Sequence, residues 1–202
     1  YTANGSQKHP TLVLLHGYPG NERKLDIAQV VRRHGWNVIY FDYRGSWGSQ
    51  GEFSFKNCVE DVVNVVSFCK KYQDSLKIDT SNIVLFGHSM GGWVCLKALQ
   101  QLPTIKKGFA LSAWNIGDDF KKVLTEKEML QLGNEPNVGG KYFVLNASLK
   151  EMFNPVIQHH NYFNLVNDGK ALSNKQIIML DENAKNKQLA EILKDTNKSY
   201  FD

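Results

Sequence analysis

Residues 83 to 95 constrain the possible fold more than any other stretch. Four apolar residues, Ile83 to Phe86, predict a strand that is buried on both faces. A Gly-His-Ser-Met-Gly run follows, and an apolar stretch of helical periodicity comes next. This order predicts a sharp strand-to-helix turn that holds Ser89 in strained backbone geometry, flanked at a distance of two residues by Gly87 and Gly91 because larger side chains would not fit. The alternative is a glycine-rich turn that carries a solvent-exposed serine.

Apolar runs alternate with stretches of helical periodicity along most of the chain. This alternation predicts an α/β fold, a mostly parallel sheet with helices on both faces. The glycine-rich loops at 16–20, 42–51 and 87–92 each follow a strand, so we expect them to meet at the carboxyl edge of the sheet. Strands are predicted at 11–15, 37–41, 83–86, 107–112 and 176–180, with another beginning at 199–201, and helices at 25–34, 57–73, 94–102 and around 189–193.

Residues 114–165 interrupt the alternation. They are rich in large apolar side chains, contain Gly139-Gly140 between two helix-like halves, and include no predicted strand. This composition favours a helical cap or lid inserted into an α/β core formed by residues 1–113 and 166–202, and such a cap would supply apolar walls for a substrate. The alternative is a set of ordinary helices that cover one face of the sheet.

Three motifs together resemble the α/β-hydrolase fold family of serine hydrolases. They are His16-Gly17 after the first strand, the Asp-Tyr-Arg-Gly-Ser-Trp-Gly-Ser run at 42–49, and the Gly-His-Ser-Met-Gly-Gly run at 87–92. The loop at 42–49 is most similar to the esterase or lysophospholipase-like and the prolyl-oligopeptidase-like branches. The resemblance implies that Ser89 is a nucleophile that forms an acyl-enzyme. It also implies an oxyanion hole made by the backbone N–H groups of Tyr18 and Met90.

The family resemblance places the acid of a Ser-Asp-His triad after a later strand. Asp181 directly follows the predicted strand 176–180 and is the first candidate. Glu182 is its neighbour, and Asp118 and Asp119 are the less common placement after the preceding strand. The alternative for Asp181 is a carboxylate that caps the end of a strand or the start of a helix.

The catalytic histidine is the missing member of this triad. In this family the histidine follows the acid, but every histidine of the sequence precedes Asp181: His9, His16, His34, His88, His159 and His160. We therefore expect no catalytic histidine within residues 1–202, and we expect a strand, a histidine loop and a final helix to follow Asp202. The alternative is a protein that has lost the triad and binds a small ligand without cleaving it.

Composition excludes several classes of function. The formal charge of +4 is scattered without a basic stripe, so we expect no nucleic-acid partner. No apolar run approaches the ~20 residues of a transmembrane helix, and Cys58, Cys69 and Cys95 favour buried thiols over disulfides. No metal cluster or phosphate-binding loop is evident, so we expect no cofactor or metal. The expected partner is a small-molecule ester with an apolar group, with a peptide or amide substrate as the alternative, while the compartment and the oligomeric state stay open.

Overall fold

Six strands form one sheet in the computed structural model, which describes residues 1–21, 23–121, 125, 127–128, 131, 143–194 and 198–201. The strands are β1 (His9–Leu15), β2 (Asn37–Tyr40), β3 (Ile78–His88), β4 (Lys107–Leu111), β5 (Gln176–Leu180) and β6 (Lys198–Phe201). The described helices are α1 (Leu25–Arg33), α2 (Phe55–Lys71), α3 (Met90–Gln101), α4 (Ile116–Phe120), α5 (Leu149–Gln158), α6 (His160–Phe163), α7 (Gly169–Leu172) and α8 (Lys187–Leu193). Within these residues, no helix is both long enough and apolar enough to cross a membrane.

All neighbouring strands are parallel, in the order β2-β1-β3-β4-β5-β6. The predicted α/β fold class is therefore confirmed, and β5 has the predicted bounds. Strand β3 begins earlier than predicted, because Ile78 pairs with His9 before the register shifts to the pairing of Thr11 with Ile83. The strand expected to begin near the end of the sequence is present as β6. Its partner, which the sequence did not identify, is β5.

The two faces of the sheet carry separate hydrophobic clusters. Alternate side chains of a strand point to opposite faces. Val13 and Leu15 of β1 accordingly belong to the larger cluster with α2 and α3, while Leu12 and Leu14 belong to the smaller cluster with α1. Because β1 is covered on both sides, its apolar residues form a continuous run instead of an alternating pattern.

Helix α2 begins at a serine cap and packs one face on the sheet. The Ser54 hydroxyl accepts a hydrogen bond from the Asn57 amide, which satisfies one of the free N–H groups at the start of the helix. The predicted helix is confirmed, but Tyr72 does not belong to its buried face. Tyr72 lies just past the end of the helix, where the residue is 41% exposed and the centre of its ring lies 4.6 Å from that of the tilted Phe68 ring.

The three cysteines are free and buried, as predicted. Burial raises the pKa of the Cys95 thiol to about 12. The thiolate is the reactive form of cysteine, so this thiol is a packing group at neutral pH.

Much of the predicted cap packs into the main core. Helix α5 starts with a capping box between Ser148 and Glu151 and buries Met152, Phe153 and Val156 in the larger cluster of the sheet. Residues 122–124, 126, 129–130 and 132–142, including Gly139-Gly140, lie outside the described residues. The role of the insertion as a lid stays a prediction.

A buried ion pair joins α3 to the 3₁₀ turn Leu165–Asp168. Lys97 Nζ lies 2.8 Å and 2.9 Å from the two carboxylate oxygens of Asp168, and both side chains are more than nine-tenths buried. Lys97 Nζ also lies 4.5 Å from the centre of the Tyr162 ring. The pair joins the chain before β5 to the helix that follows Ser89. Removal of either charge would be costly, because the other charge would remain buried without its partner.

We predict that Gly91→Ala destabilises the fold strongly. A β-carbon at Gly91 would lie 2.0 Å from the carbonyl oxygen of Leu15, a backbone atom of β1 that cannot turn aside as a flexible side chain can. The free energy of unfolding should fall by about 3 kcal/mol or more, at the upper end of overpacking costs. Urea denaturation followed by circular dichroism measures this change.

The matched control is Gly169→Ala. The nearest atom to an added β-carbon there is the Ile192 Cγ2 methyl, 2.3 Å away on a side chain that is 49% exposed and free to turn toward solvent. We expect this variant to lose much less stability. An equal loss in both variants would contradict the proposed close contact.

Candidate active site

Ser89 lies at the turn between β3 and α3. Its backbone angles are φ 54° and ψ −119°, in a region that non-glycine residues rarely adopt. The surrounding backbone holds this conformation: the Ser89 amide donates to Leu111 O at 2.9 Å, and Ser89 O accepts hydrogen bonds from the amides of Gly92 and Trp114, each at 2.9 Å. The geometry agrees with the strained turn that the sequence predicts.

Two glycines allow the strand and the helix to meet at this turn. An added β-carbon would lie 1.9 Å from Gly91 O at Gly87, and 2.0 Å from Leu15 O at Gly91. A side chain at either position would therefore overlap backbone atoms. Both glycines are required because three backbone segments converge behind Ser89.

The loop after β1 forms one side of a small cavity at Ser89. Residues 17–21, His88 and Ser89 line the cavity, which has a volume of about 230 Å³. Gly17 packs close to the serine, since an added β-carbon there would lie 3.3 Å from Ser89 Cβ. The peptide bond between Tyr18 and Pro19 is cis. The sequence-predicted oxyanion loop and the candidate nucleophile thus lie side by side.

Met90, the second candidate oxyanion donor, is the first residue of α3. The first amides of a helix have no partner within the helix and point along its axis beyond its start. Here the helix starts at the residue after Ser89. An amide in this position is suited to bind a negatively charged oxygen beside the serine.

His16 contacts the backbone of the predicted oxyanion loop. Its Nδ1 lies 2.8 Å from Gly17 O, and because a carbonyl only accepts, this nitrogen carries the hydrogen. Gly17 O belongs to the same peptide group as the Tyr18 N–H, so the imidazole fixes the plane of that amide. Burial lowers the pKa of His16, and its Nε2 lies 3.9 Å from an Asp42 carboxylate oxygen. His16 is therefore a neutral buried ring at neutral pH.

Asp181 follows β5 at the same edge of the sheet, as the sequence predicts. Its Oδ2 accepts hydrogen bonds from the Asn186 amide at 2.6 Å and the Tyr200 hydroxyl at 3.2 Å, while Oδ1 accepts one from Asn186 Nδ2 at 3.1 Å. Asn186 Nδ2 also donates to Ala113 O at 2.9 Å. Asn186 therefore ties the carboxylate to the segment that follows β4, a role that no sequence motif indicates.

The alternative acids have other neighbours. Glu182 is exposed. Asp118 forms a surface ion pair with Lys121 at 2.7 Å, and Asp119 accepts a hydrogen bond from the indole of Trp114. None of the three carboxylates shares the partly buried hydrogen-bond network of Asp181.

The structure brings no histidine ring into hydrogen-bond contact with the Ser89 hydroxyl among the described residues. His9 lies at the start of β1 and donates from Nδ1 to Gly35 O at 2.9 Å, and His34 caps the end of α1. His159 and His160 are exposed at the junction of α5 and α6. His88 lines the cavity but belongs to the strand that precedes the turn.

Ser112 is a second serine at this edge that the sequence analysis did not single out. It follows β4, has φ 44°, and donates its amide to Leu180 O at 2.6 Å. Its hydroxyl is buried and has no hydrogen-bond partner within the described part of the chain. Ser112 is the natural control for Ser89, because both residues are strained serines on neighbouring strand ends.

An aromatic cluster forms the wall next to the turn. The Trp114 ring lies 6.1 Å from Tyr18, 5.9 Å from Phe55 and 6.3 Å from Phe120, measured between ring centres. Phe120 in turn stacks on Phe153 of α5. Since the Trp114 amide donates a hydrogen bond to Ser89 O, this apolar wall begins next to the candidate nucleophile.

Comparisons with known proteins identify similar sequences and similar solved structures. An uncharacterized 31.7 kDa protein of Escherichia coli is 32% identical over 119 residues, which cover 56% of this chain and 41% of that protein. The lysophosphatidylserine lipase ABHD12 of Danio rerio is 26% identical over 105 residues, covering 50% of this chain and 26% of the lipase. The chain therefore spans less than half the length of these relatives. The solved structure of brefeldin A esterase, a bacterial homologue of human hormone-sensitive lipase, has a TM-score of 0.69 at 18% identity and covers 98% of this chain and 61% of its own.

The esterase structure bears out the expected fold, and a family model identifies the family. The model described as serine aminopeptidase, S33 (Hydrolase_4) matches residues 6–135, which is more than half of the chain and includes β1 through β4 with the Ser89 turn. The resemblance drawn from the three sequence motifs is thus confirmed. The chain belongs to the serine aminopeptidase S33 family and has the α/β-hydrolase fold.

Proposed function

We propose that the protein hydrolyses carboxylic esters through an acyl-enzyme on Ser89. The observation that carries this proposal is the strained turn that places Ser89 beside a cavity lined by the oxyanion loop. Strained backbone held by surrounding structure is concentrated at functional sites. A turn that served only to connect β3 to α3 would need neither the cavity nor the adjoining loop.

The proposed reaction has two steps. Ser89 Oγ attacks the acyl carbon while a base takes its proton, and the carbonyl oxygen becomes an oxyanion bound by the N–H groups of Tyr18 and Met90. The bond to the alcohol then breaks, and the proton passes from the base to the departing oxygen. Water attacks the acyl-enzyme in the same way and releases the acid. The base is proposed to be a histidine other than the six of this sequence.

Asp181 is proposed to orient that base. A carboxylate offers about four lone-pair positions, and Asn186 and Tyr200 occupy three of them. The remaining position on Oδ1 would accept the N–H of an imidazole. The network would hold the carboxylate in one orientation, which a group that aligns a catalytic histidine requires.

The surroundings of Ser89 favour an ester over a peptide with a free amino terminus. Such a substrate needs a carboxylate to bind its ammonium group. The described residues that line the cavity at Ser89 include no carboxylate. The aromatic wall at Trp114 instead suits an apolar acyl or alcohol group, for which the lid is proposed to provide a further apolar surface.

We expect a fluorophosphonate probe to label the complete protein at Ser89. The probe reacts with an activated serine, so Ser89→Ala should abolish the label, and mass spectrometry of the digested protein would locate it. Ser112→Ala removes a hydroxyl from the neighbouring strand end and is the matched control, which should keep the label. Labelling that persists in Ser89→Ala but disappears in Ser112→Ala would contradict the assignment, and absence of any label in the wild type would favour a ligand-binding protein without catalysis.

We expect Asp181→Asn to lower kcat for ester hydrolysis by about 10⁴-fold, as for loss of the acid in other triads. The amide cannot accept all the hydrogen bonds that the carboxylate accepts, and it cannot stabilise an imidazolium. Glu182→Gln is the control, since it changes an adjacent exposed carboxylate, and it should retain wild-type kcat. Steady-state kinetics on one p-nitrophenyl ester decides between the two residues; a large loss in Glu182→Gln alone would transfer the role to Glu182.

A series of p-nitrophenyl esters tests the apolar substrate group. Each buried methylene contributes about 0.8 kcal/mol, so kcat/KM should rise about fourfold per methylene from acetate onward. It should fall once the acyl chain exceeds the cavity of about 230 Å³. Acetate as the best substrate would contradict the apolar wall, and faster cleavage of an aminoacyl p-nitroanilide would favour a peptidase.

A further inference from the structure

Trp47 makes two hydrogen bonds to segments that are distant from it in sequence. Its indole Nε1–H donates to Pro19 O in the oxyanion loop at 2.7 Å. Its backbone amide donates to Val144 O at 2.9 Å, in the segment that leads into α5. One residue therefore connects the loop beside Ser89 to the segment that precedes α5.

The segment that accepts the hydrogen bond from the Trp47 amide, residues 144–146, makes several further contacts with the glycine-rich loop. Ser46 pairs with Leu145 in an isolated antiparallel bridge. The Asn146 amide donates to Gly45 O at 2.6 Å, and its side-chain amide donates to Gly51 O at 2.8 Å. The glycine-rich loop is thus joined to residues 144–146 on both sides of Trp47, so the indole projects from an anchored backbone.

Trp47 adopts a conformation that is unfavourable for its residue type. Its φ is 51°, in the left-handed region that favours glycine. Gly20 next to Pro19 is enclosed between the Trp47 and His16 rings: an added β-carbon would lie 2.7 Å from Trp47 Nε1 and 2.6 Å from His16 Nδ1. The two rings therefore hold the oxyanion loop at successive points, His16 at Gly17 O and Trp47 at Pro19 O.

We infer that Trp47 is a positioning residue for the oxyanion hole. Its indole N–H fixes the Pro19 carbonyl, and with it the loop that carries the Tyr18 amide, against the support formed by residues 144–146. This inference rests on the proposed function, since the oxyanion hole has a task only if Ser89 forms an acyl-enzyme. The tryptophan acts through Tyr18 and does not itself touch the reacting atoms.

Trp47→Phe tests this role. Phenylalanine keeps an aromatic ring and a similar cost of a positive φ, and it removes the indole N–H together with part of the indole ring; Trp36→Phe makes the same change of ring elsewhere. Trp36→Phe is the matched control, because Trp36 packs in the smaller cluster on the other face and its indole has no hydrogen-bond partner among the described residues. The variants are compared in the complete protein by amide NMR, by the rate of fluorophosphonate labelling at Ser89, and by kcat and KM for a p-nitrophenyl ester.

For Trp47→Phe we expect the amide resonances of Gly20 and Tyr18 to shift, with kcat and the labelling rate lowered about tenfold and KM within about twofold of wild type. Complete loss of one oxyanion donor lowers the rate by about a hundred- to a thousandfold, so a displaced donor should cost less. Trp36→Phe should leave all these quantities unchanged. A merely structural role would lower thermal stability without separating kcat from KM.

The outcomes separate this inference from the proposed function. Unchanged resonances in Trp47→Phe would overturn the contact with the loop. Shifted resonances with unchanged kcat and labelling rate would overturn the positioning role. A wild-type protein that neither hydrolyses esters nor reacts at Ser89 would refute the proposed function, and with it the positioning role, while the resonances would still show whether Trp47 holds the loop.

Discussion

The close approach of α3 to the ends of β1 and β3 is the constraint on which the rest of the site depends. Gly87 and Gly91 bring backbone atoms so near that a single added carbon at either position would overlap a carbonyl group. This approach forces Ser89 into its strained conformation and places the oxyanion loop beside it. The hydrogen bonds from Ser89 N–H to Leu111 O and from Trp114 N–H to Ser89 O then hold this strained conformation.

The other candidate groups depend on the same sheet edge but are held by separate networks. The predicted oxyanion loop accepts hydrogen bonds from the His16 and Trp47 rings, and Asp181 accepts hydrogen bonds from Asn186 and Tyr200. Parallel strands explain why these groups share an edge, since each loop leaves the carboxyl end of its strand. The networks use different residues, so a mutation can disrupt one network and leave the hydrogen bonds of the others in place.

Helix α5, which lies in the segment predicted to form a lid, packs into the core of the sheet. Phe153 of α5 stacks on Phe120 and shares the larger cluster with Phe55 of α2. The aromatic wall near Ser89 is therefore continuous with the packing that stabilises the sheet. Changes in this wall are expected to alter both stability and substrate preference, because the same side chains serve both.

The sequence by itself determined the parallel sheet, the order of its elements and the turn at Ser89, because buried strands and sharp turns have local signatures in apolar runs and glycines. It also located Asp181 at the end of β5, since that position depends only on where the strand stops. Only the tertiary structure decided that Asn186 holds this carboxylate, that the Ser112 hydroxyl is buried with no hydrogen-bond partner among the described residues, and that Trp47 donates a hydrogen bond to Pro19 O. Those contacts join residues whose separation in sequence has no period and no motif, so they exist only once the strands lie side by side.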